Sequence, residues 1–165
     1  MKQKIIVVAL TVSLLLGCLS GCVMKNTNDP IPAGEDIAFA LGNVATSAGE
    51  EIVVPILVNA DSNVAAVDFI VTYDSDVISY QSFSAGLAFK AGIADANEVT
   101  KGQIKITMAT LTPPKDAGRM CELTFKVADA ATPCEIPLTL DCVTCCDYDT
   151  NKLENTCQNG TITVK

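Results

Sequence analysis

From Ile37 to Val164, apolar side chains recur at every second position with few interruptions. Ile37, Phe39 and Leu41 open the series. Ile52, Val54, Ile56 and Val58 follow, then Val67, Phe69, Val71 and Tyr73. Ile104, Ile106 and Met108 continue it, then Leu123, Phe125 and Val127, then Ile136, Leu138 and Leu140, and finally Ile162 and Val164. Successive side chains of a strand point to opposite faces, so this spacing places one greasy face per strand against a core. Turn-forming residues separate the runs at Ala48-Gly49, Asp61-Ser62-Asn63, Lys101-Gly102, Pro113-Pro114 and Asn159-Gly160. No helical period stands out beyond the first twenty-odd residues. Short strands with polar gaps predict an all-β fold, a two-sheet antiparallel sandwich. Ser84 to Thr100 alternates weakly and reads as a long connection or a short crossing strand. Pro55 inside a strand predicts an edge position or a bulge.

The first residues follow different rules. Lys2 and Lys4 precede an apolar run from Ile5 to Leu16, too short to span a bilayer and built like an export signal. Leu19-Ser20-Gly21-Cys22 resembles the lipobox of bacterial lipoproteins, and Leu15-Leu16-Gly17-Cys18 is a poorer second match. The expected organisation is a lipoprotein signal peptide over 1–21, a polar, proline-containing tether over 22–35 and one domain over 36–165. Cys22 is then the lipidation site. It holds an exported protein to the outer side of the bacterial cell membrane without a spanning helix. The whole chain carries a formal charge of −8, and loss of the signal removes two lysines and no acid. A chain this acidic repels nucleic acid.

Chemistry is scarce. No histidine occurs anywhere, which excludes Ser-His-Asp and Cys-His catalysis. Asp74 and Asp76 could form a carboxylate pair, but they sit where a strand ends and read as turn residues. With no tryptophan, an aromatic platform for sugar rings is hard to build. Asp147 to Glu154 has oxygens at alternate positions like a calcium loop, yet Lys152 and Gln158 stand where such a loop needs Gly and Glu. Cys121, Cys134, Cys142, Cys145, Cys146 and Cys157 follow Cys22. In an exported chain an even set suggests disulfides, with fifteen pairings open. The rival is a thiolate metal site on Cys142-x-x-Cys145 with Cys146 and Cys157. No metal or other cofactor is expected.

Read in order, the strands resemble the cohesin domains of bacterial cellulosomes. The phrases that carry the likeness are Gly49-Glu50-Glu51-Ile52-Val53-Val54-Pro55, the strand Phe69 to Asp74, the strand Leu123 to Val127 and the closing strand Asn159 to Val164. The six cysteines depart from the family's habit, and Ser75 stands where a proline is usual. The resemblance implies a nine-stranded jelly roll and a non-catalytic docking module for a dockerin-bearing partner, in the assembly of polysaccharide-degrading enzymes. It implies that Asp68 lies on the outer sheet face that receives the dockerin. Ala66, Ile70 and Thr72 share that face, and Lys105, Thr107 and Thr110 come from a neighbouring strand. The alternatives are a carbohydrate-binding module of the same architecture and a structural surface domain without ligand.

Overall fold

The computed structural model describes residues 36–59, 63–86, 89, 92–112 and 118–165. The signal, the tether and Cys22 lie outside these residues. Eleven strands occupy the described chain: β1 (Ile37–Leu41), β2 (Val44–Thr46), β3 (Glu51–Val58), β4 (Ala66–Thr72), β5 (Ile78–Ala85), β6 (Ile93–Thr100), β7 (Gln103–Ala109), β8 (Gly118–Val127), β9 (Cys134–Cys146), β10 (Asn155–Gln158) and β11 (Gly160–Val164). They form two sheets, ordered β10-β1-β3-β8-β5 and β2-β11-β9-β4-β7-β6. The alternating residues meet between the sheets. Phe39, Phe69, Val54, Ile104, Ile106, Leu123, Phe125 and Ile162 are all at most 1% exposed. The rings of Phe39 and Phe69 pack edge-to-face across the interface at 4.9 Å, and Tyr73 packs likewise on Phe125 at 5.1 Å.

The sandwich agrees with the sequence, but two details differ. There are eleven strands rather than nine, and two pairings, β1 with β10 and β2 with β11, are parallel. Both differences come from sheet switches at the chain's two ends. After β1 the chain crosses at Gly42, whose N–H donates to the Pro55 carbonyl at 2.9 Å, and enters the other sheet as β2. After β10 it crosses again and returns as β11. The crossings touch. A Cβ on Gly42 would meet Pro55 Cδ at 2.7 Å, and one on Gly160 would meet Leu41 Cβ at 2.7 Å and the Gly42 carbonyl at 2.8 Å. Only glycine allows this approach.

Pro55 is not on an edge strand, since β3 lies between β1 and β8. The last β1 pairing is Leu41 with Ile56, so the position without an N–H falls where β1 has already left. The register with β8 does shift one residue on, between Ile56 and Leu57. The stretch read as a long connection or a short crossing strand contains a full eight-residue strand, β6, which forms the free edge beside β7.

Candidate docking face

β4 lies inside the six-stranded sheet, between β9 and β7. Val67, Phe69 and Val71 point inward and are at most 2% exposed. Ala66, Asp68, Ile70 and Thr72 therefore face outward, the first three half-buried among neighbours and Thr72 exposed. Register fixes what surrounds them. Asp68 stands level with Thr107 of β7 and Thr144 of β9, and Asp95 of β6 lies beyond Thr107. Ile70 stands between Lys105 and Asp141, with Asn97 beyond Lys105. Ala66 lies between Ala109 and Cys146, with Ile93 beyond Ala109. Four strands and four such rows make a face of roughly 14 by 20 Å.

The face has a polarity pattern. Asp68 is central, flanked by hydroxyls, and its carboxylate makes no hydrogen bond or salt bridge among the described residues. Its lone pairs are available to a partner. Ile70 adds an apolar contact one row away, and Ile93 on β6 is 70% exposed. A register shift in β9 between the partners of Asp68 and Phe69 leaves Val143 without an opposite residue and 57% exposed. Acids outnumber bases here, with Asp68, Asp95 and Asp141 against Lys105.

The structure brings together six of the seven residues named from sequence. Ala66, Asp68, Ile70, Thr72, Lys105 and Thr107 share the face. Thr110 does not. It is 6% exposed, and its hydroxyl bonds the backbone of Thr112 just past the end of β7. Asp95, Asn97, Ile93, Thr144 and Val143 were missed. The polar residues of β6 do alternate, but the inward partners Ala94 and Ala96 are too small to advertise a buried face.

The other candidates resolve as local structure. Asp74 Oδ1 accepts the Asp76 N–H at 3.0 Å, and Asp76 pairs with Lys101 at 2.8 Å, so these two acids form a turn. Asp147 accepts from the N–H groups of Asp149 and Asn151 and from Asn151 Nδ2 at 2.8–3.0 Å, and Thr150 takes φ 66. This carboxylate is spent closing its own loop. Among the described residues no group of His, Cys, Asp and Glu side chains is arranged to hold a metal ion. Among the described residues the six cysteines stand unbridged. Cys142, Cys145 and Cys157 converge, whereas Cys121 is fully buried on β8. At the opposite end of β4, the Tyr73 hydroxyl donates to Glu98, which also accepts the Gly102 N–H at 3.0 Å. Burial, reinforced by Glu98, pushes the Tyr73 phenol up to about 12. The same hydrogen bond holds Glu98 below its ordinary value.

No curated protein sequence matches this chain significantly. Solved structures do. A cohesin in complex with a dockerin from Clostridium thermocellum superposes with TM-score 0.71 at 20% identity, covering 79% of this chain and 99% of that one. A non-cellulosomal cohesin from the archaeon Archaeoglobus fulgidus gives 0.70 at 21% identity, covering 79% and 91%. A cohesin from Clostridium acetobutylicum, solved in solution, gives 0.69 at 23%, covering 79% and 92%. These likenesses establish the fold. The family model of the cohesin domain matches residues 37–164, from the first residue of β1 to the last of β11, and by that match the chain belongs to the cohesin domain family.

Proposed function

We propose that this protein is a non-catalytic docking module whose β9-β4-β7-β6 face receives a dockerin carried by another protein, in the assembly of polysaccharide-degrading enzymes. The observation that carries the reading is the placement of Asp68. It is an acid without a hydrogen-bond or ion-pair partner among the described residues, at the centre of an outward sheet face, between two threonines and one row from Ile70. A carboxylate so placed accepts charge-assisted hydrogen bonds that strengthen once a partner excludes water. Cohesin structures solved with a dockerin bound support the choice of partner. Lipidation at Cys22 would put the module on the outer surface of a bacterial membrane, where a partner arriving from outside can reach it.

Titration calorimetry of the purified domain against a panel of calcium-loaded dockerins tests this, with a glycan array run in parallel. Saturable binding of a dockerin in the micromolar range or tighter supports the reading. Binding of a polysaccharide with no response to any dockerin would replace it with the carbohydrate-binding alternative.

A further inference from the structure

The fold removes most of the fifteen disulfide pairings that six cysteines permit. Bridged residues need Cα atoms within about 7 Å. Cys121 lies on β8, and no Cα of β8 comes within 8 Å of one on β9 or β10, the strands that hold the other five. Cys134 pairs with Val164 at the far end of β9, roughly 26 Å of extended strand from Cys142. Cys146 stands opposite Ala66 on the outer face. Three sulfurs remain, and they meet. Cys142 is level with Phe69 and Cys145 with Val67, both core positions, because the skipped Val143 puts the two thiols on one side. Cys157 is level with Phe39 in the other sheet. Since Phe39 touches Phe69 across the interface, Cys157 and Cys142 flank the same aromatic contact from opposite sheets. The Cys142 thiol donates to the Thr144 carbonyl at 3.4 Å, and Cys145 and Cys157 both lie close enough to perturb it.

We propose that Cys142 and Cys157 form a disulfide that joins the two sheets, with Cys145 remaining a thiol beside it. Cys142 with Cys145 is the poorer pair. Same-face neighbours on one strand lie about 6.6 Å apart, whereas bridged Cβ atoms lie about 3.8 Å apart. Cys145 with Cys157 is poorer because Cys145 is level with Val67, one row away from the Phe39–Phe69 contact that Cys142 and Cys157 flank. The oxidant is a small disulfide such as glutathione disulfide. The Cys142 thiolate attacks it and releases one glutathione thiolate. The Cys157 thiolate then attacks the Cys142 sulfur of the mixed disulfide and releases the second. The two cysteines lose two protons and two electrons, and one glutathione disulfide becomes two glutathiones. The neighbouring Cys145 thiol, then burial, push the Cys142 thiol up to about 11, so exchange is slow near neutrality and quickens toward pH 9. The bridge closes a loop over β9, the Asp147 turn and β10, fastening the edge strand β10 to the other sheet.

The test uses the purified full chain, equilibrated at pH 8.5 with glutathione disulfide or with a reductant, then alkylated and digested with trypsin. Cleavage after Lys126, Lys152 and Lys165 isolates Cys157 on one peptide and the other four β9 cysteines on another. The expected product is the two peptides linked, with fragmentation placing the bond on Cys142. Reduction should lower the melting temperature by roughly 10 °C for a loop of this length. Cys142→Ser and Cys157→Ser should each abolish that shift, and Cys145→Ser and Cys146→Ser should keep it. Should a serine variant fail to fold, peptide mapping of the unaltered chain still decides. Alkylation of both Cys142 and Cys157 after oxidation, or a bond within the β9 peptide alone, overturns the proposal.

Discussion

Replacing Asp68 with lysine probes the docking face at the point where geometry concentrates its chemistry. The carboxylate is flanked by Thr107 and Thr144 and makes no hydrogen bond or salt bridge among the described residues, so whatever a partner gains there it gains directly. A hydrogen bond to a charged acceptor contributes about 1.5–3 kcal/mol. Asp68→Asn keeps the shape and one acceptor oxygen, and should cost about 1–2 kcal/mol, a five- to thirty-fold weaker Kd. Asp68→Lys also leaves a cation facing the partner's donors, and should cost about 3–5 kcal/mol. Long-range field is a minor share. Asp95 lies two strands away, about 10 Å, where two unit charges in water interact by only about 0.4 kcal/mol before salt screens them. Asp95→Lys should therefore weaken binding by less than about fivefold and act mainly on the association rate. The assay is calorimetry or interferometry against a dockerin that binds the unaltered domain, at two salt concentrations, with a thermal melt of each variant. Because Asp68 faces outward, melts should stay within about 3 °C of the parent. Wild-type affinity in a folded Asp68→Lys variant would move the interface off this face. Equal losses from Asp68→Lys and Asp95→Lys would mean that charge at a distance, not contact, governs recognition.

Two further outcomes concern the fold. Glu98 is held below its ordinary value by the Tyr73 hydroxyl, so its stabilising contribution is complete above the unfolded carboxylate pKa and is lost as pH falls through the folded value. Melting temperature followed from pH 7 to pH 3 should drop less steeply for Glu98→Gln than for the parent, and identical curves would show that this pair does not couple to folding. Gly160→Ala puts a methyl group into the backbone of Gly42 and the side chain of Leu41. It should destabilise by about 1–3 kcal/mol in urea denaturation, and an unchanged midpoint would mean the crossing relaxes freely.

Large alternating side chains made the sandwich readable. Val67, Phe69 and Val71 on β4 and Ile104, Ile106 and Met108 on β7 fix which side faces the core, and hence that Asp68 faces out. Where inward residues are small the signal fades, and β6 with Ala94 and Ala96 reads as a connection or a short crossing strand. The sheet switches were illegible for another reason. Gly42-Asn43 and Asn159-Gly160 look like ordinary turns, and only their contact in space makes them crossings. Thr110 continues the alternation of β7 in sequence, but β7 ends at Ala109 and the Thr110 hydroxyl bonds back on Thr112. Cysteine spacing alone left every pairing open, because the partner of Cys142 lies in the other sheet.

The parallel pairing of β2 with β11 has a mechanical consequence. The first strand to enter the six-stranded sheet and the last strand of the domain run side by side in the same direction, Val44 beside Ile162 and Thr46 beside Val164. A force that draws the two ends of the folded unit apart, once passed on through β1, acts along these strands and in opposite senses. Their hydrogen bonds must then yield together in shear, rather than one at a time as in an unzipping hairpin. A domain stretched between its two ends would resist that load at its own seam.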